Sequence, residues 1–371
     1  MAKAKKKLLP KDFDVLLAEG DVAKLKAVFD SCDVEARAGY PKRTALAFVC
    51  PKELTRWLID QGANIEARDD YGHTALNTHA GHWQGQVELL IELGADVNSA
   101  DNQGGTPLHR AADTGNAAAV SALLRHGANR NARNREGLTP LTYALQRCNN
   151  AGIARLLSVA ELLLPEEVPA ATGLRALASR FLGNKSAAGR GITPEMRAFV
   201  RRIGTDFEFH RANFAPDSVG ETSAALDRLY ELFGVPPVPR RHAYDGRSPI
   251  VAKAATWEDR HQELWELLVP SSGAATTVQG EVIRITGRIH IELEENGGGN
   301  WDADFRKMAN ALPVYLSSGT PLPATTLAEA TSLVRQISDR GGDTRRLCEL
   351  ATSWVALNPT PAAMSPPAYR R

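Results

Sequence analysis

The sequence has few of the residues that indicate a disulfide-bonded or zinc-binding protein. Its 371 residues include four cysteines, which are scattered along the chain without paired spacing: Cys32, Cys50, Cys148 and Cys348. This usage argues against a disulfide framework and against a zinc site. It fits a reducing compartment best, so we expect a cytoplasmic location.

The sequence also lacks an excess of either charge and any long apolar run. Its 44 basic and 43 acidic residues give a net charge of +1, so no strong field favours nucleic acid or a membrane. No apolar stretch approaches the length of a membrane span. Residues 1–10 are basic but precede no apolar segment, so we do not expect them to be a secretory signal. We expect them to form a disordered tail, and a nucleic-acid-binding arm is the less favoured alternative.

The familiar motifs of catalysis are missing as well. The sequence contains no P-loop, no dinucleotide fingerprint, no G-x-S-x-G and no H-E-x-x-H. Their absence lowers the chance of a familiar enzyme without excluding an unfamiliar one. No cofactor is predicted, and no metal.

One stretch, residues 101–129, shows how much of the chain is organised. Thr106 is a natural N-cap, and Pro107 would occupy the first helical position, where its missing N–H costs nothing. Gly115 permits a turn, and Gly127 would end a second helix. Two short helices of this kind cannot bury their apolar faces alone, so they need stacked copies.

Those copies are present, because a threonine recurs at spacings of 30, 32 and 33 residues, followed two positions later by a leucine. The threonines are Thr44, Thr74, Thr106 and Thr139, and the leucines are Leu46, Leu76, Leu108 and Leu141. A period near 33 with T-P-L-H-x-A resembles the ankyrin repeat family over residues 11–164, in about five units. The resemblance implies an all-α solenoid of helix–turn–helix units joined by hairpin-like turns. The first threonine unit departs from it, with Lys42 in place of the turn glycine.

The rest of the chain predicts a linker and a second helical region. Proline, glycine and small residues mark a linker over 165–193, with a short helix over 174–182. Helical spacing then predicts a domain over 194–358, and a proline-rich, disordered tail over 359–371. Through LWELLVPSSG, TVQGEVIR and NGGGNWD, this domain loosely resembles an uncharacterised bacterial module found with ankyrin repeats, from which no activity carries over.

The ankyrin resemblance implies a surface that binds other macromolecules, formed by the turn tips and the exposed side of the first helices. By position, the candidate partner-binding residues are Asp70, Tyr71, His73, Asn77, Asn102, Gln103, Arg110, Arg135, Glu136 and Tyr143. Tyrosine and arginine are favoured at interfaces. The alternative is that these are merely solvated turn residues. The histidines His73, His79 and His82 beside Trp83 favour a polar or aromatic patch over a metal site.

A second group of polar residues lies in the helical domain. A polar pocket would use Gln279, Glu281, Arg284, Arg288, Asn300 and Asp302, with an arginine holding an anion and a carboxylate acting as acid or base. The favoured alternative is a structural ion-pair ladder. Because Glu281 and Asp302 would lie near opposite ends of one helix, they could be over about 20 Å apart. We therefore expect Glu281 to pair with Arg284 or Arg288 instead.

Together these features predict a cytoplasmic interaction or scaffold protein, monomeric, that binds a protein partner through its repeats. The rival hypothesis is an enzyme or small-ligand sensor whose helical domain holds the polar pocket and whose repeats supply its target.

Overall fold

The computed structural model describes residues 4–165, 191–241, 244–339 and 341–369. They divide into two compact units, the first formed by Met1–Asp206 with Pro216–Val238 and the second by Phe207–Ala215 with Pro239–Arg371. Both are built mainly of helices, so the predicted all-α class is confirmed. No helix in the described ranges is both long and apolar enough to cross a membrane.

The first unit stacks the predicted helix pairs in chain order. They are α1 (Phe13–Glu19) with α2 (Val22–Ser31), a 3₁₀ turn (Ala45–Ala47) with α3 (Lys52–Asp60), α4 (Ala75–Ala80) with α5 (Val87–Glu92), α6 (Pro107–Thr114) with α7 (Ala117–Arg125), and α8 (Pro140–Arg147) with α9 (Ile153–Leu163). A threonine precedes each first helix from the 3₁₀ turn onward, and the repeated leucines are at most 4% exposed. The leucines therefore form the shared core that the stacking requires.

In the turn before each of these first helices, one residue adopts the left-handed backbone conformation, with positive φ. Gly72, Gly104 and Gly137 provide it with φ between 75° and 79°. Lys42 occupies the matching place in the first of these turns and takes the same conformation, with φ of 63°. The turn therefore keeps its shape at the cost of backbone strain, because a side chain disfavours this region.

Side chains of a Glu-Ala-Arg that occurs twice, at 35–37 and 66–68, tie each of these units to the unit that follows. Glu35 accepts the N–H of Asn64 at 2.6 Å, and Glu66 accepts the N–H of Asp96 at 2.8 Å. The guanidinium of Arg37 donates to the carbonyl of Arg68 at 2.6 Å, and Arg68 donates to Ala100 O at 2.5 Å. We call this set of bonds the inter-unit ladder.

The N-terminal segment is ordered where a disordered tail was expected. Lys6–Leu8 form strand β1, which pairs in parallel with β2 (Cys32–Arg37). The prediction of disorder for residues 1–10 is wrong for this strand, because the extended chain after α2 leaves backbone groups that β1 can satisfy.

Two further helices belong to the same unit as the repeats. They are α10 (Pro194–His210), up to Asp206, and α11 (Pro216–Phe233). The helix α11 packs against α9, and Leu226, Leu229 and Phe233 are buried. This grouping differs from the sequence-based boundary at residue 194, because the apolar stripe of α11 covers the last repeat. Most of the predicted linker, including the short helix over 174–182, lies outside the described residues.

The second unit is a helical domain. It contains α12 (Trp257–Leu268), α13 (Val278–His290) followed by a π-helical turn (Ile291–Glu295), α14 (Ala303–Leu316), α15 (Ala324–Ser338) and α16 (Thr344–Leu357). One hydrophobic core joins these helices, with Val282, Leu312 and Trp354 at its buried positions.

The C-terminal segment is also ordered, and the prediction of a disordered tail over 359–371 is wrong up to Tyr369. The N–H of Val278 donates to Ala362 O at 2.9 Å, and Met364 N donates to Thr276 O at 3.1 Å. Tyr369 is 7% exposed. Proline disfavours helices but permits this extended path, so a proline-rich composition did not imply disorder here.

Candidate functional site

The turn tips of the repeats are hydrogen-bonded to one another. Asn102 N donates to Tyr71 O at 3.0 Å, and Arg135 N donates to Gln103 O at 2.8 Å. These bonds align successive turns side by side, so that residues about 32 positions apart in sequence become neighbours. The sequence period therefore builds one continuous surface.

Six of the ten predicted partner-binding residues line one groove on this surface, with a volume of about 270 Å³: Tyr71, His73, Asn102, Gln103, Arg110 and Tyr143. The groove also includes Asp101, Gly105, His109 and Asn134, which sequence reasoning missed. Asp101 and Asn134 occupy the same position before successive turns, so the repeat register could have identified them. We call this feature the turn groove.

Two aromatic groups give the turn groove its apolar surface. The Tyr71 side chain is 47% exposed, and its ring centroid lies 5.8 Å from that of His73. Its hydroxyl meets the hydroxyl of Tyr40. At the other side, the Tyr143 ring lies 6.1 Å from His109, and burial raises the pKa of the Tyr143 hydroxyl. Both tyrosines are therefore held in place by neighbouring rings.

His73 bridges two carboxylates of successive turns. Its Nδ1 lies 3.4 Å from Asp69 Oδ2, and its Nε2 lies 3.4 Å from Asp101 Oδ2. Burial acts to raise the pKa of Asp101, but hydrogen bonds from His73, Gly105 and Gln103 lower it overall. His73 therefore links two successive turns and also lines the turn groove.

Arg110 brings a cation to the groove. Its Nε is buried and has no hydrogen-bond partner among the residues that the structure describes. Arg147 lies nearby, with its guanidinium 5.3 Å from the centroid of the Tyr143 ring, but it is paired with Asp113 at 2.9 Å. Arg110 therefore places a cationic side chain in the lining of the groove.

One predicted residue, Asn77, is wrongly assigned to the binding surface. It is fully buried, and its Oδ1 accepts the N–H of Thr74 at 3.0 Å while its Nδ2 donates to two backbone carbonyls at 3.4 Å. It stabilises the start of α4 as part of a capping box. The residue in register with Arg110 and Tyr143 is Thr78, which is half-buried.

The remaining three predicted residues lie at exposed turn tips without lining the groove: Asp70, Arg135 and Glu136. Asp70 lies 3.3 Å from the Lys42 ammonium, and Glu136 N donates to Asn134 at 3.0 Å. They surround the groove as a polar rim.

The three clustered histidines have separate environments. His79 is fully buried, with its Nε2 at 3.1 Å from the carbonyls of Leu46 and Phe48, and burial lowers its pKa to about 4. His82 Nδ1 accepts the N–H of Gln84 at 3.2 Å. Nowhere in the described part of the chain are three His, Cys, Asp or Glu side chains arranged to hold a metal.

The six residues of the hypothesised polar pocket are divided among separate roles. Gln279 is buried, and it holds the C-terminal segment by donating to Asn358 O and Thr360 O at 2.9 and 2.7 Å. Asn300 donates to Glu292, and Asp302 caps the start of α14. Arg288 lines a cavity of about 710 Å³ together with Arg284.

Glu281 is paired as predicted. Its carboxylate accepts from Arg284 Nε at 2.8 Å and Nη2 at 2.5 Å, from Ala275 N at 2.9 Å and from the Tyr369 hydroxyl at 2.7 Å. Burial acts to raise its pKa, but the bonds from Arg284 lower it overall. Both carboxylate oxygens accept hydrogen bonds from within the protein, so Glu281 stabilises the fold.

The comparisons with known proteins agree with the repeat architecture. Residues 79–166 match the family model described as ankyrin repeats (3 copies). Alpha-latrotoxin-Lg1a of Latrodectus geometricus is 42% identical over 72 residues, which are 18% of this chain and 5% of the toxin. Ankyrin repeat domain-containing protein 63 of Homo sapiens is 36% identical over 73 residues, 19% of each chain. The chain thus spans only a small part of the length of these relatives.

Proposed function

Because residues 79–166 are ankyrin repeats, which indicate protein–protein interaction, we propose that this chain captures a protein partner in the turn groove. The observation that supports this most directly is the convergence of Tyr71, Arg110 and Tyr143, from three successive units, on one groove. Large aromatic and arginine side chains carry much of the binding energy at protein interfaces.

The chemistry of the groove defines the partner segment that it would fit. The guanidinium of Arg110 lines the groove and can donate to an acceptor of the partner. A carboxylate or backbone carbonyl of the partner supplies one, and a carboxylate gives the stronger, charge-assisted bond. Apolar or aromatic groups of the same segment would cover the rings of Tyr71 and Tyr143.

In this proposal the chain acts as a scaffold in the cytoplasm and as a monomer, with the second unit adding a further contact. The competing acid–base pocket has less support, because Glu281 is fully paired and Asp302 is used as a helix cap.

The proposal is tested with point variants of the full chain. Truncation at residue 165 would be a poor test, because it would uncover the face of α9 on which α11 packs. A partner is first recovered with the wild-type chain, and its affinity is then measured by calorimetry for Tyr71→Ala, Arg110→Ala and Tyr143→Ala. Arg130→Ala serves as the matched control, because Arg130 is exposed and lies outside the groove.

We expect each groove variant to keep the wild-type melting temperature and to raise Kd about fivefold or more, as interface anchors do. The control should bind like the wild type. Unchanged affinity in all three groove variants would remove the turn groove from the binding surface. An equal loss in the control would point to a nonspecific charge effect instead.

A further inference from the structure

The second unit contains a cavity of about 370 Å³ that the repeats do not share. Its walls come from α12, α13 and α16 and include Trp257, His261, Trp265, Gly287, His290 and Cys348. On α12 the first three recur at four-residue steps, so they form one stripe along the helix. A cavity of this size is at the lower end of small-molecule sites, which span roughly 300–1,000 Å³.

Gly287 leaves the space that one aromatic wall occupies. A Cβ at this position would lie 2.4 Å from the Trp265 ring and 3.4 Å from His261 Cε1. The missing side chain thus lets the Trp265 ring lie directly against α13. Two aromatic side chains, Trp257 and Trp265, therefore line the cavity.

His261 presents a hydrogen-bond acceptor. Its Nε2 lies 3.1 Å from Thr286 Oγ1, whose own hydroxyl donates to the carbonyl of Val282 at 3.1 Å. The Thr286 oxygen can then only accept, so Nε2 carries the proton and Nδ1 is left as an acceptor. Burial, together with the neighbouring His290, lowers the pKa of His261 to about 4, so the ring is neutral at pH 7.

His290 presents a second acceptor by the same logic. Its Nδ1 lies 2.9 Å from Thr344 Oγ1, and the Thr344 hydroxyl donates to Glu294 at 3.0 Å. His290 Nδ1 therefore carries a proton and donates it to Thr344, which leaves Nε2 as the ring nitrogen available to a ligand. Burial raises the pKa of the Cys348 thiol to about 12, so this wall does not supply a nucleophile.

The rim of the cavity combines an irregular helix with fixed charges. The π-helical turn Ile291–Glu295 follows α13 without a break, and its first and last residues reach the cavity. Such turns are frequent at functional sites. The Arg345 guanidinium lies 5.9 Å from the centroid of the Trp257 ring and pairs with Glu258 at 3.0 Å, which fixes that side of the entrance.

We propose that this cavity, the indole cavity, binds a planar nitrogen heterocycle of purine size that carries N–H donors. The ring stacks on the indole of Trp257, and its N–H groups donate to His261 Nδ1 and His290 Nε2. Stacking requires a flat ring, and the two acceptors select donors over acceptors. This function is separate from partner binding by the repeats and does not depend on it.

The test measures binding of adenine to the full chain by calorimetry, beside N6,N6-dimethyladenine, which lacks the amino N–H donors. The variants are Trp257→Ala and His261→Leu, and Trp83→Ala is the control, because Trp83 is 60% exposed and lies in the repeats. We expect adenine to bind more tightly than its dimethyl analogue. Trp257→Ala should weaken adenine at least about fivefold, the typical effect of losing one stacked aromatic group.

His261→Leu should remove the preference for adenine over the dimethyl analogue, whereas Trp83→Ala should bind both like the wild type. Circular dichroism checks that each variant is folded. If His261→Leu does not fold, the proposal is still tested by Trp257→Ala and by comparing the two purines on the wild type. The proposal is overturned if adenine does not bind, if both purines bind equally to the wild type, or if Trp257→Ala has no effect.

Discussion

Replacing Glu281 by glutamine should destabilise the second unit strongly while changing the shape of the side chain very little. The substitution removes the negative charge that faces Arg284, whose side chain is only 2% exposed. An ion pair on a helix surface would predict a loss below about 0.5 kcal/mol. Burial raises the expected loss of stability, because the variant leaves a buried arginine charge without its counter-ion.

Breaking a buried pair by removing one partner costs about 3–5 kcal/mol. With a urea dependence of roughly 1–3 kcal/mol per molar, a loss of this size lowers the unfolding midpoint by at least about 1 M. Equilibrium urea unfolding, followed by tryptophan fluorescence, measures this shift. Because the chain has two compact units, the transition of the second unit must be fitted separately.

The pH dependence gives an independent check on the same pair. Since Arg284 lowers the folded-state pKa of Glu281 below its ordinary value of 4.5, the pair stabilises the fold above that pH. This contribution is lost as the pH falls through the folded-state pKa. The difference in stability between the wild type and Glu281→Gln should therefore shrink in acid.

The double variant Glu281→Gln/Arg284→Met is the control for burial. It removes the stranded charge, so it should recover most of the loss seen in the single variant. A loss under about 1 kcal/mol in Glu281→Gln, or a double variant less stable than the single one, would refute the reasoning.

Two further predictions concern the repeats. The pKa of His79 falls from 6.5 to about 4 on folding, so unfolding takes up a proton between these values. Stability should fall by up to about 3 kcal/mol as the pH drops through this window, and His79→Gln should flatten that dependence in urea titrations. Lys42→Gly should raise the unfolding free energy by about 0.5–1 kcal/mol, because glycine relieves the strain at φ of 63°. A destabilised Lys42→Gly would show that this turn is not strained.

The local order of the repeats could be predicted from the sequence because it follows from short-range rules. Threonine caps, the proline at the first helical position and the recurring leucines each act within one unit or between adjacent copies. Helical spacing likewise predicted a helical region over 194–358, in which α12 (Trp257–Leu268) and α16 (Thr344–Leu357) lie. Most of the turn groove followed from the repeat register for the same reason.

Two kinds of prediction were less successful. One had to choose between adjacent residues of a repeat, and the other depended on contacts between residues far apart in sequence. Asn77 was assigned to the surface although Thr78 is the residue in register with Arg110, because a capping asparagine and an exposed asparagine look alike in sequence. The ordered C-terminal segment depends on partners about 80 residues away, such as Gln279 for Thr360. No local pattern encodes such a contact. The indole cavity was missed because its three walls lie far apart in sequence.

The inter-unit ladder has a direction, since in both units that carry it the glutamate and the arginine bond to backbone groups of the unit that follows. Glu35 and Arg37 need only an N–H and a carbonyl at fixed places in the next copy, and Glu66 and Arg68 repeat that demand. The side chain at an accepting position takes part at one place, where the Ser99 hydroxyl also accepts from Arg68 at 3.0 Å. A duplicated unit inserted between them would find its attachments already in place, so evolution can lengthen this protein without inventing a new interface.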